Sequence, residues 1–302
     1  MVEISASMVR ELRDRTGAAM MDCKKALVEA GGDPEKAVEL LRQRGIAVAG
    51  KKASRTASEG LVVGEVSADG KAGVLLEVNC ETDFVARNPE FVELTDSLRK
   101  EALTARPTSV EALLAVKQAQ GTVSDLVTAK IAKLGENILV RRLTHYSMSS
   151  AHGTVGLYVH ALGGKMGALI EIQSSKAAPV AELAQLAKEI AMHIVSSKPT
   201  FLSRADIPQE VIDNEQRIEA GKADLADKKA ELRDKIVQGR VDKLLAERCL
   251  LEQPFVKDPN LTVAAYLKQK GAAWDGVELT PQRFSLYILG ETQAAEDAEA
   301  AE

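Results

Sequence analysis

The feature that most constrains this chain is a passage that occurs twice. LVVGEVSADGKAGVLLEVN (61–79) carries two aliphatic and β-branched runs around Asp69-Gly70, and about ninety residues later TVGLYVHALGGKMGALIEIQ (154–173) sets Gly163-Gly164-Lys165 where the first copy has Asp69-Gly70-Lys71. GVLLEV parallels GALIEI. Apolar runs that alternate around an Asp-Gly or Gly-Gly turn predict a β-hairpin, because these residues accept the positive φ that short hairpin turns require. Each hairpin is followed by a helix with an apolar stripe, NPEFVELTDSLRKEAL and PVAELAQLAKEIAMHIVSSKP, and each helix leads to a proline, Pro107 or Pro199. A duplicated hairpin-plus-helix unit predicts an α+β fold with a core of two related subdomains. Helices around 109–118 and 122–134 and a strand at 138–146 link the copies.

Ahead of the first copy the hydrophobic period is helical. Ser5 caps a first helix that Gly17 ends; Met20, Cys23 and Leu27 make the inner stripe of a second that stops at Gly31-Gly32; Asp33 caps a third, with Pro34 at its first position and Gly45 as its stop. Three short helices predict a compact bundle, and the small, basic VAGKKASRTASEG reads as a flexible linker. From Asp206 to Arg248 a narrow stripe of Val211, Ile218, Leu225, Leu232, Ile236, Val241, Leu244 and Leu245 in a charged sequence predicts two antiparallel helices, with the tip at Gly221 or in 226–229. TVAAYLKQKG is a late helix and RFSLYILG a final strand. The expected division is a bundle at 1–50, a linker at 51–59, one core subdomain at 60–146, the first part of a second at 147–205, a helical hairpin at 206–250, the end of the second subdomain with a small C-terminal module at 251–290, and an acidic disordered tail at 291–302.

Charge narrows the function. The formal net charge is −5, and the last twelve residues, ETQAAEDAEAAE, carry five acids and no base, so the remaining body is balanced. Phosphate neutralisation supplies most of the affinity of a nucleic-acid binder, and the basic excess for it is missing. Lys24-Lys25 and Lys51-Lys52 read as solvated pairs rather than a nucleic-acid patch. Cys23, Cys80 and Cys249 are odd in number and far apart, which fits reduced packing residues in a cytoplasmic protein. His145, His152, His160 and His193 show no metal-ligand spacing, and the chain has neither a GxSxG elbow nor a GxxxxGK[ST] loop. No metal, cofactor or catalytic residue is expected, and an enzyme is disfavoured.

One short stretch resists a bland reading. NCETDFVARNP (79–89) sets Phe84 in the connection between a strand and a helix, in a chain with only 5 Phe, 4 Tyr and 1 Trp. Such a ring either tucks into its own core or serves as a rigid wedge for another protein. Met20-Met21 raises a similar question, since adjacent helical positions cannot both face one core, and an outward methionine is an adaptable contact.

RTGAAMMDCKKAL, EVNCETDFVARN, KLGEN (133–137), IAMHIVSSKP (190–199) and VQGRVDK (237–243) occur in this order, and with them the chain resembles the translation elongation factor Ts family over about residues 2–290. The resemblance implies a ubiquitin-associated-like N-terminal bundle, two related α/β subdomains, a projecting coiled-coil hairpin and a small C-terminal module. It also implies a non-catalytic guanine nucleotide exchange factor for the GTPase EF-Tu. Thr82, Asp83, Phe84 and Val85 match the family's TDFV motif, whose aspartate and phenylalanine push between two helices of the GTPase domain. Arg13, Met20 and Met21 match positions that touch another helix of that domain, and His152 matches a histidine near the intruding phenylalanine. The implied protein has no cofactor of its own and acts on the Mg²⁺ and GDP of EF-Tu. Its hairpin is a candidate surface for a dimer or higher-order complex. The hairpin tip lacks the family's frequent GKP turn, and the acidic tail has no evident family counterpart.

Overall fold

Two three-stranded antiparallel sheets lie face to face with helices on their outer sides. In the computed structural model the described residues are 4–16, 18, 20–119, 121–161, 163–225 and 228–291. Gly17, residues 226–227 of the expected hairpin tip, and the tail beyond Glu291 fall outside them. Helices α1 (Ala6–Thr16), α2 (Met20–Glu29) and α3 (Pro34–Lys52) come first. The first repeat holds β1 (Glu59–Val66), β2 (Ala72–Cys80), the single turn α4 (Asp83–Ala86), α5 (Pro89–Ala105), α6 (Val110–Leu114), the small pair β3 (Lys117–Gln118) and β4 (Gly121–Thr122), α7 (Val123–Leu134) and β5 (Ile138–Ser147). The second holds β6 (Gly153–Val159), β7 (Met166–Ser174) and α8 (Val180–Ser197), then the paired helices α9 (Gln209–Ala220) and α10 (Ala230–Arg248). The short strands β8 (Pro254–Phe255) and β9 (Asp258–Thr262), helix α11 (Val263–Ala273) and β10 (Leu279–Ile288) complete it.

Strand order is β1-β2-β5 in one sheet and β10-β7-β6 in the other, so each repeat is a hairpin whose second strand also pairs with a third strand. Alternation along β2 explains why the whole strand is buried: Val74, Leu76, Val78 and Cys80 meet the side chains of α5 and α7, while Leu75 joins Val62, Val155, Leu169 and Tyr287 between the sheets. A sheet covered on both faces reads as a continuous apolar run. The second repeat obeys the same rule, with Ala168, Ile170 and Ile172 turned to α8 and α11 and Leu169 turned to the other sheet.

The duplication extends beyond the hairpins. Glu77 pairs in register with Arg142 and Glu171 with Arg283, and both third strands carry a bulge one step further on, at Glu77/Val78 and Pro281/Arg283. Buried Glu77 accepts from Arg142 Nε at 2.7 Å, and the Arg142 guanidinium lies 4.0 Å from the centre of the Tyr287 ring, on the other repeat. Reciprocally, Glu171 accepts from Arg283 Nε at 2.8 Å, and Arg283 lies 4.2 Å from the Tyr146 ring centre. The hydroxyls close the figure, Tyr287 to Thr144 and Tyr146 to Ser285, both at 2.8 Å. Each repeat is thus locked by a residue of the other. Gly60 and Gly153 also correspond: at φ 140° and 131° each leaves no room for a Cβ, which would fall 2.1 Å from Val78 O or 2.4 Å from Ile172 O.

Several sequence expectations are corrected. The third helix does not stop at Gly45 but continues to Lys52: Gly45 lies buried inside the helix, on the face that packs against Thr128 and Ala132 of α7, and it has no positive φ that would end the helix there. The segment read as a flexible linker is therefore partly helix, and after it Asn137 Nδ2 donates to Arg55 O at 2.9 Å. The helix expected at 109–118 is a single turn followed by the β3–β4 pair. On the α9–α10 pair, Leu225, Val237, Val241 and Leu245 form the buried seam, whereas Ile218 and Leu232 stay about half exposed. Gly221 directly follows α9, and a short 3-10 turn, Ala223–Leu225, leads up to the undescribed residues 226–227. Cys23, Cys80 and Cys249 are buried free thiols.

Candidate functional site

After β2 the chain makes two helix starts in quick succession. Thr82 is the N-cap of α4, its hydroxyl accepting from Val85 N at 3.3 Å, and Asn88 is the N-cap of α5, accepting from Glu90 N at 2.9 Å with Pro89 in the first helical position. Each cap satisfies a backbone N–H that a helix start leaves without an intrahelical partner. In the one turn between them the side chains divide. Val85 and Ala86 enter the core beside Phe91 and Leu94, while Phe84 is 82% exposed. Asp83 also faces outward and pairs with Arg87 at 3.0 Å. The core position expected of a large ring belongs to Phe91, which is wholly buried.

The backbone under Phe84 is held from below. Glu136 accepts from Glu81 N at 3.1 Å, Thr82 N at 3.0 Å and Thr82 Oγ1 at 2.6 Å. Cys80 Sγ donates to Thr82 O at 3.2 Å, and burial, with the Glu136 carboxylate adding to it, pushes that thiol up to about 12. The thiol stays protonated, as a packing group should. Of the four TDFV positions, then, Thr82 and Val85 fix the turn and Asp83 and Phe84 are presented by it.

The other expected site residues lie elsewhere. Arg13, Met20 and Met21 belong to the bundle and are all exposed, the methionines at 52% and 62%. Spacing puts Met20 on the inner stripe, but the bundle core is built by Val9, Leu12, Cys23, Ala26, Leu27 and Ala37 without it. Met21, Lys24, Lys25, Val28, Glu29 and Arg44 line an open groove of about 450 Å³. His152 is exposed in the β5–β6 connection, where Lys71 Nζ donates to the flanking Ala151 O at 2.9 Å and Gly153 O at 3.0 Å. Lys71 precedes β2 and Phe84 comes after it, so strand β2, roughly 26 Å at about 3.3 Å per residue, separates them. The structure does not bring His152 to Phe84. His193, in the IAMHIVSSKP stretch, is buried, donating through Nε2 to Gln253 at 2.9 Å while Nδ1 accepts from Val256 N at 3.2 Å.

Glu136 escapes sequence reasoning even though it sits inside the KLGEN motif. Its partners, two backbone N–H groups and the Thr82 hydroxyl, lie about fifty-five residues away, and no local pattern announces them.

Against known proteins, the family model described as "Elongation factor TS" matches residues 81–291. Elongation factor Ts of Nostoc sp. (strain PCC 7120) is 46% identical over 298 residues, covering 96% of this chain and 94% of that protein. The one from Methylococcus capsulatus is 44% identical over 304 residues, covering 97% and 100%, and the one from Azoarcus sp. (strain BH72) is 47% identical over 291, covering 96% and 92%. This chain belongs to the elongation factor Ts family. The matched region of the elongation factor Ts model begins at Glu81, the residue before Thr82, while the likeness to whole elongation factor Ts chains takes in the N-terminal bundle as well. Among the described residues no helix is long and apolar enough to cross a membrane.

Proposed function

We propose that this chain is a guanine nucleotide exchange factor for the translation GTPase EF-Tu, working in the cytoplasm, with Asp83 and Phe84 as the element that enters the GTPase domain. Family membership supports the partner. The observation that carries the role of the loop is Phe84 itself: an exposed ring on a turn whose next two residues are buried.

Exchange makes and breaks no covalent bond, so it asks for no nucleophile or acid–base pair. A partner speeds GDP loss when it binds the nucleotide-free GTPase better than the GDP form, and linkage then weakens GDP by the same factor. A weakening of ~10⁴ needs ~5.5 kcal/mol of differential binding. Burying one Phe ring supplies about 1.5–3 kcal/mol, so Phe84 is a hot spot in a wider interface to which Arg13, Met20 and Met21 contribute from the bundle. Pushed between two GTPase helices, the ring displaces groups that hold the nucleotide's Mg²⁺. That ion tolerates little departure from octahedral geometry at ~2.0–2.1 Å, and its loss unclamps the phosphates. His152, about a strand length from Phe84, would meet a different part of the partner.

The test is release of a fluorescent GDP analogue from EF-Tu with the intact protein and with Phe84→Ala. The intact protein should accelerate release, and the variant should lose roughly 10- to 150-fold of that effect, the rate equivalent of one buried ring. Because the ring is exposed, the melting temperature of the variant should not fall. Absence of acceleration by the intact protein overturns the reading.

A further inference from the structure

We infer that Glu136 is a positioning residue for the Asp83-Phe84 turn, a role that rests on the exchange reading above. Its carboxylate collects both backbone N–H groups that lead into α4, those of Glu81 and Thr82, and the Thr82 hydroxyl. Because that hydroxyl gives its proton to Glu136, its oxygen lone pairs are free to accept from Val85 N. Glu136 therefore sets the direction of the N-cap that winds the turn. Its own bonds go to the backbone beneath Phe84 rather than to Asp83 or Phe84.

The anchor is firm on its other side. Gly135, at φ 79°, closes α7 in the left-handed conformation, and Glu136 comes directly after it. Next to it, Asn137 N donates to Glu81 Oε1 at 2.7 Å, so the carboxylates of Glu81 and Glu136 each hold backbone of the other segment. Arg55, just beyond α3, approaches Glu81 at 3.5 Å, and Lys52 Nζ donates to Gly135 O. The turn that presents Phe84 is thus clamped to the end of α7, which is itself held against α3. Hydrogen bonds to an ionised acceptor are the strong kind, and a wedge fixed before contact loses less freedom on insertion.

The test uses Glu136→Ala and Glu136→Gln in the full chain, each measured for GDP release from EF-Tu across a range of factor concentrations. A second readout comes from Phe84→Trp in a Trp274→Phe background, which makes position 84 the only tryptophan, with fluorescence anisotropy decay recorded without EF-Tu. Glu136→Ala should lower the saturating release rate by about tenfold, the effect of losing bonds to a charged group. Glu136→Gln, which keeps a carbonyl for the two N–H groups, should fall between. The indole at position 84 should gain fast local motion in the same order. A folded Glu136→Ala variant with release within about twofold of the parent, or with unchanged motion of that indole, overturns the inference and leaves the exchange reading standing. If Glu136→Ala does not fold, the Gln variant decides by the same two readouts. Failure of the unsubstituted chain to accelerate release sinks the exchange reading instead, and the indole's motion still reports whether Glu136 holds the turn.

Discussion

The two repeats are closed by one device and diverge just past their middle strands. Glu77 with Arg142 and Glu171 with Arg283 occupy matching registers, lean on each other's tyrosines and precede matching bulges. Past β2, however, the first repeat builds the double-capped turn that exposes Phe84, whereas past β7 the second runs through Ser175-Lys176-Ala177-Ala178-Pro179. That loop is folded onto its own repeat, Ser175 N donating to Glu278 O and Glu278 N to Ser175 Oγ, both at 2.9 Å. Positions shared by the copies close the fold, and the position where they part carries the candidate site.

The sharpest way to break that comparison is to cut one lock at a time. Glu77→Ala should cost about 3 kcal/mol, because it takes the buried carboxylate from Arg142, which retains Ile288 O and a longer pairing with Glu291, and removes the acceptor of Gly290 N and one of the two acceptors of Asn79 Nδ2. Glu171→Ala should cost less, about 1–3 kcal/mol, since Arg283 is roughly half exposed and keeps water as a partner. Urea denaturation of the two variants compares them directly, and equal losses would show that exposure does not set the strength of the lock. Next in size are Gly60→Ala and Gly153→Ala. Both force a Cβ onto a carbonyl oxygen of the neighbouring strand, so both should lose about 1–3 kcal/mol, and a harmless substitution at either would end the claim of matching geometry.

The smallest effect concerns a brace within the first repeat. Hydrogen bonds from Lys130 and Lys133 hold the Glu90 carboxyl down to about 2. A lowered carboxylate pKa stabilises the fold above its unfolded value, about 4.3, and that contribution is lost as pH falls toward about 2. Glu90→Gln should therefore flatten the pH dependence of stability in that window, by no more than about 1 kcal/mol for a partly exposed pair. Acid titration of thermal stability measures it.

How much of this is legible in the sequence depends on the range of each interaction. The hairpins declare themselves through alternation and turn residues, both local. The match between the third strands does not, because RRLTHY and RFSLY share only Arg, a hydroxyl residue and Tyr at alternate positions, and α9 and α10 intervene before the second of them. Phe84 stands out as odd but cannot be placed from sequence, since one turn of helix is too short to show a period. The burial of Val85 and Ala86 decides which way it faces. Gly45 misleads for a related reason: a glycine that ends a helix and one buried within a helix that packs on its neighbour look the same in one dimension. Met20 keeps helical spacing with Cys23 and Leu27, and spacing alone does not say where a bundle's core ends.

The reciprocal lock also has a meaning in time. A chain emerging from the ribosome makes Arg142 about 145 residues before Tyr287, a delay of roughly 7–30 s at about 5–20 residues per second. Through that interval Arg142 has no ring of the second repeat to rest on, whatever the first repeat has formed by then. The half of the molecule that presents Phe84 is therefore written first and finished last.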